Sequence, residues 1–147
     1  MLFYLIFLLF LLASDFKKVL TEDEECMNDE ARLAVLHAHN KYRSKLACGE
    51  VTDANTTLPG EYFINLLIYN VTMEKLSQNT ANCCEMKHSN DTLYGENLYA
   101  STYKMNITDA LISAVDMWWA EKDVCQIAVN NLKATDAVWD GCGHTVP

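Results

Sequence analysis

Positive charge is scarce in this chain. Its 147 residues hold 11 Lys and Arg against 20 Asp and Glu, a formal net charge of −9. Nucleic acid and anionic membrane surfaces both call for basic patches, so neither is expected as a partner. Apolar runs are scarce as well. None is long and apolar enough to span a bilayer, and no transmembrane anchoring is expected. No C-x-x-C occurs, which argues against a zinc ribbon or a thioredoxin-like redox site. A glycine-rich phosphate loop, a G-x-S-x-G turn and internal repeats are also missing.

What is present begins with residues 2–13, LFYLIFLLFLLA, uncharged and almost wholly apolar. A bilayer needs about 20 such residues, so the run is too short to cross one. Small Ala13 and Ser14 follow, then Asp15. Residues 1–14 therefore read as a signal peptide, cleaved near Ala13 or Ser14, and the mature protein as secreted. Residues 15–28 form an acidic lead-in tied down by Cys26. The remainder is about one domain in size.

An even set of cysteines in an exported chain reads as disulfides. The candidates are Cys26, Cys48, Cys83, Cys84, Cys125 and Cys142. Their pairing stays open. N-x-[ST] sequons at Asn55, Asn70, Asn90 and Asn106 mark a glycoprotein of the extracellular space.

Three helices are expected. The first covers about 29–47, capped by Asn28, with Asp29 and Glu30 in its first turn. Leu33, Leu36, Asn40 and Arg43 share one face, with Val35, His39, Tyr42 and Leu46 beside it. Lys45 and Gly49 supply the stop. Residues 49–61 read as a loop ending in Pro59-Gly60. The second helix, about 71–83, is capped by Asn70, with Met73, Leu76, Thr80 and Cys83 or Cys84 in helical period. Residues 84–95 read as irregular and 97–101 as a short strand. The third helix, about 109–121, is capped by Thr108, with Ile107 and Ile112 as a hydrophobic staple and Leu111, Val115, Trp118 and Trp119 as bulk. Residues 137–139 form a candidate extended piece. Helices with short strands point to α+β or a three-layer α-β-α sandwich.

Four polar residues make poor sense as mere surface. Glu121 ends a helix, where the dipole disfavours an anion, and follows two tryptophans. His88 lies in the non-helical stretch, and Glu96 follows Gly95, which suits a tight turn that aims it inward. His144 stands near the end of the chain. Two His and two Glu fit a zinc site or an acid–base cluster, although none has the local spacing that makes such a case by itself. The plain alternatives are a surface Glu121 neutralised by Lys122 and scattered surface residues. His37 and His39 point to different helix faces and are not joint ligands.

Four segments in order carry a resemblance. His39-Asn40-Lys41-Tyr42-Arg43 matches HN-x-x-R. Asn82 to Ser89, NCCEMKHS, is like N-x-C-x-x-x-HS. Gly95-Glu96-Asn97-Leu98-Tyr99 matches GENLY, and Trp118-Trp119-Ala120-Glu121 matches WW-x-E. Together they resemble the CAP superfamily of cysteine-rich secretory, antigen 5 and pathogenesis-related proteins, most closely the SCP-like secreted proteins of parasitic nematodes.

That resemblance implies a CAP-type sandwich over residues 29–147. It implies a cleft lined by His88, Glu96, Glu121 and His144, able to take a divalent metal such as zinc though requiring none. His39, Asn40, Arg43, Gly95, Asn97, Trp118 and Trp119 are implied as structural motif residues. His144 is placed by Gly143-His144-Thr145; an alternative register sets Lys133 at that position. The family's TQ-x-x-W strand, later GC segment and last strand have no counterpart here. The domain is therefore expected to be incomplete at its C-terminal end, with exposed sheet edges that favour aggregation. Cys48 and Cys83 stand where the family does not usually carry cysteine. The implied function is extracellular binding of host proteins or small lipids, without catalysis. The alternatives are a metal- or His/Glu-dependent hydrolase and a sterol or fatty-acid carrier.

Overall fold

The computed structural model describes residues 5–11, 27–53, 56–60, 63–90 and 93–125. Its elements in chain order are β1 (Leu5–Leu11), α1 (Asp29–Ala47), β2 (Thr52–Asp53), β3 (Thr56–Thr57), α2 (Val71–Ala81), β4 (Gly95–Ser101), α3 (Ile107–Ala120) and α4 (Lys122–Cys125).

Asn28 starts α1 as its residue type predicts. It is extended, and its side chain accepts from the Ala31 N–H at 2.8 Å. Gly49 ends the helix with φ +68°, a conformation that suits glycine. The chain then doubles back so closely that a Cβ on Gly60 would lie 2.8 Å from the Ala47 carbonyl oxygen. Between these glycines the expected loop holds a small antiparallel pair, Thr52 with Thr57 and Asp53 with Thr56. The Leu58 N–H to Val51 carbonyl bond, 2.8 Å, closes it over two buried side chains.

α2 begins at its expected cap, Asn70, and stops at Ala81, two residues before the expected end. α3 corrects the reading further. Its cap is Asn106, not Thr108, which lies inside the first turn. Both are capping residue types. Asn106 wins because its Oδ1 accepts from the Asp109 N–H at 2.9 Å, while the Asp109 carboxylate accepts from its Nδ2. Ile107 is consequently the first helical residue and not half of a staple.

The core lies between α1, α3 and β4. Ala31 and Val35 meet Leu111, Ala114, Val115 and Trp118, with Tyr99 of β4 against them. Ala31 and Ala114 are fully buried, so two helix backbones approach closely there. This corrects the expected face of α1. Leu33 is 55% exposed; the buried stripe runs through Ala31, Val35, Ala38 and Tyr42. Asn40 and Arg43 instead grip an extended segment. Asn40 exchanges two hydrogen bonds with the Leu67 backbone, at 3.0 and 2.8 Å, and Arg43 Nε donates to the Asn65 carbonyl at 2.8 Å. Side chains thus satisfy backbone groups that no strand pairs.

α1 and α2 are joined by charge. Arg32 donates twice to Glu74, from Nε at 2.9 Å and from a terminal nitrogen at 3.0 Å. Tyr69 adds its hydroxyl at 2.8 Å. These bonds, Arg32's first, hold the Glu74 carboxyl below its usual range against the opposing effect of burial. Burial, with Glu74 next, pushes the Tyr69 phenol up.

β4 pairs in parallel with β1, from Leu5 opposite Gly95 to Leu11 opposite Ser101. The run read as an export leader is thus the neighbour of the GENLY strand. Among the described residues, helices and two two-stranded sheets bear out α+β; the three-layer sandwich is a finer statement than these strands carry. No helix among the described residues is long and apolar enough to cross a membrane. Cys48, Cys83 and Cys84 carry free, exposed thiols, against the expectation that they pair. Cys26 and Cys142 lie outside the described residues, as does the extended piece at 137–139.

Candidate functional site

β4 carries the central acid. Asn97, Leu98, Tyr99 and Ser101 are all buried, so side chains on both faces of the strand are covered. Trp118 fastens β4 to α3: its indole N–H donates to the Leu98 carbonyl at 3.0 Å. Glu96 sits one residue before this buried run, with its side chain 5% exposed. Gly95 is not what aims it inward. That glycine has no positive φ and open space around it; the alternation of the strand sets the direction.

A buried carboxylate requires donors. Two come from the stretch after α2. The chain leaves that helix through Cys84, whose φ of +57° is uncommon for a residue with a side chain. It then brings Ser89 and His88 against β4. The Ser89 N–H donates to Glu96 Oε2 at 2.7 Å and His88 Nδ1 donates to the same oxygen at 2.9 Å. The other oxygen, Oε1, is buried and has no partner among the described residues. The His88 side chain is 60% exposed. With Nδ1 bound to the carboxylate, its Nε2 is directed away from Glu96. Exposed Met86 and Leu93 lie in the same stretch.

The sequence-derived set therefore divides. His88 and Glu96 are brought together. Glu121 is the C-cap of α3, half-buried, with its own interactions there. His144 lies outside the described residues. Among the described residues no three His, Cys, Asp or Glu side chains come together to hold a metal ion.

The residues of the first motif line the packing around α3. His39 Nδ1 donates to the Val35 carbonyl at 2.9 Å, and its ring tilts against Trp118 with centroids 6.2 Å apart. Burial lowers its pKa, the bond to Val35 opposes this and Arg43 adds to it, so the ring is held neutral. Trp119 stacks on Tyr42 at 4.7 Å. Tyr42 donates to Asp116 at 2.7 Å, and that bond, with burial second, pushes its pKa up to about 12. Two partnerships escaped the sequence reading. The Ser89 donor is a backbone group that side-chain patterns do not show, although the HS of the motif marks its position. The Arg32–Glu74 pair spans 42 residues and carries no local signal.

A sequence profile of the cysteine-rich secretory protein family, CAP, matches residues 36–145. The chain belongs to the CAP family. It is similar to the Ancylostoma secreted protein of Ancylostoma caninum, 29% identical over an alignment of 125 residues that covers 82% of this chain. Only 29% of that curated relative is covered, so the chain spans less than a third of its length. No solved structure matches. Family membership bears out the resemblance read from the four segments, and its nematode character accords with the relative's source.

Proposed function

We propose that this CAP protein acts outside the cell by binding, without catalysis of its own, and that the His88–Glu96 face is a point of contact. The classes of target are host proteins and small lipids, and in a parasite the role would be host interaction or immune modulation. Export is supported by the amino-terminal apolar run, the four N-x-[ST] sequons and a relative that is itself called a secreted protein.

One observation carries the reading of the site. Glu96 uses one oxygen to hold both His88 and the Ser89 backbone, and the imidazole it orients is largely exposed. A carboxylate that fixes a histidine by Nδ1 leaves Nε2 ready for an outside group. Such a face suits recognition of a partner, or of a divalent cation, better than an enclosed reaction. Among the described residues zinc would find one ligand on this face, His88 through Nε2, with Glu96 the group behind it. Bound there, it would supply a Lewis-acidic anchor for a carboxylate or carbonyl of the target.

Zinc titration by calorimetry of the secreted full chain, with His88→Ala alongside, tests this. Binding in the parent that is lost in the variant is expected, with no ester or peptide turnover in either. Zinc-dependent turnover abolished by His88→Ala would establish the hydrolase instead. Sterol binding of equal strength in both proteins would favour a lipid carrier with its site elsewhere.

A further inference from the structure

Two sequon asparagines do structural work. Asn70 caps α2 and Asn106 caps α3. N-linked glycosylation uses only the amide nitrogen of asparagine, whereas helix capping uses only its amide oxygen. The two can therefore share a residue if the nitrogen is free in the fold.

At Asn70 it is. Oδ1 accepts from the Thr72 N–H at 2.8 Å and the Met73 N–H at 3.3 Å. Nδ2 has no partner among the described residues. Asn70 is itself half-buried, while Val71 and Thr72, which complete the sequon, are exposed. At Asn106, by contrast, Nδ2 already donates to the Asp109 carboxylate. A glycan there competes with that bond. Asn90 is exposed but caps nothing among the described residues, and Asn55 lies outside them.

We infer that Asn70 bears an N-linked oligosaccharide on Nδ2 while its Oδ1 continues to cap α2. The donor is a lipid-diphosphate-linked oligosaccharide. Nδ2 forms a bond to the anomeric carbon, and the bond from that carbon to the phosphate oxygen breaks. The diphosphate leaves with the electron pair, and a base of the transferring enzyme takes the Nδ2 proton. The secondary amide that results keeps its carbonyl oxygen, so the cap survives. This inference rests on export, because only a chain in the secretory lumen meets that donor.

The test uses the full chain with its own leader, expressed in a glycosylating eukaryotic host and recovered from the medium. Peptide mass spectrometry after amidase release reads each site by the Asn-to-Asp mass change. Asn70→Asp and Thr72→Ala each remove the sequon and keep a capping oxygen; Asn70→Ala removes both. All three are expected to lose one glycan. Only Asn70→Ala should also lower the folded-to-unfolded ratio, by about fivefold, the usual effect of losing a cap. Parent and Asn70→Asp, both amidase-treated, carry aspartate at the site and should melt together. Secreted protein with Asn70 unmodified would overturn the inference, as would Thr72→Ala destabilised as much as Asn70→Ala. Protein that never reaches the medium would instead refute export.

Discussion

The α1–α3 pair and the stretch from 84 to 96 are built to opposite ends. Between the helices, Ala31 and Ala114 have no exposure and Leu111 has 1%; the one histidine there, His39, is desolvated and neutral. In the other stretch a buried carboxylate holds a histidine outward, at 60% exposure, on a loop that turns through an uncommon backbone angle. The same residue type is packing in one place and presentation in the other. The difference shows where this fold concentrates its stability, and where it leaves groups free to meet something else.

The contrast is sharpest for Leu111→Ala. It should lower unfolding stability by about 3 kcal/mol, read from a urea midpoint, because the site is tightly enclosed by helix backbones. Zinc binding by the folded fraction should not change. A loss below about 1 kcal/mol would mean that the helices close over the gap.

Arg32→Ala comes next, at about 2–3 kcal/mol, since it leaves the Glu74 carboxylate with Tyr69 but without its cation. Its pH dependence is diagnostic. Glu74 is held low in the fold, so its contribution is complete above its ordinary value of 4.5 in the unfolded chain. It is lost as pH falls through the depressed folded value. Parent and variant should therefore converge in acid, and a constant gap between them would assign the loss to packing alone.

His39 predicts a smaller effect. Burial holds its folded pKa below the ordinary histidine value of 6.5. As pH falls through that value the unfolded chain takes up a proton that the folded chain resists, and stability drops until the folded value is passed. His39→Gln should flatten this part of a stability–pH profile. An unaltered slope would move the titration to another histidine.

His88→Ala should cost about 1 kcal/mol, less than Arg32→Ala: the ring is mostly in water, but its loss leaves buried Glu96 with the Ser89 N–H alone of its two donors. If it destabilised the chain as much as Arg32→Ala, the two regions would not differ as described.

Parts of this were plain in the sequence. For α1, Asn28, the acids after it, Lys45 and Gly49 all agreed, and the helix has the expected bounds. At α3 two capping residues lie two apart, and the choice turned on Asp109, whose carboxylate answers only one of them. The face of α1 was misjudged because Leu33 outweighs alanine in any hydrophobic pattern, whereas close helix contact selects the small residue. The pairing of His88 with Glu96 followed from the resemblance, not from spacing: eight residues across a turn and a strand start have no period. β1 was legible only as apolar. An export leader and an apolar strand have the same composition.

That last identity has a consequence for maturation. Cleavage near Ala13 or Ser14 would take β1 away with the leader, and with it the ladder that runs from Gly95 to Ser101. The precursor and the processed chain are then two folding problems with one shared strand. In the first, β4 is matched within its own chain from the start. In the second, its amide protons along that edge exchange with solvent until another extended segment takes the place. Comparing deuterium uptake at Glu96–Ser101 in the two forms would follow that change of neighbour directly.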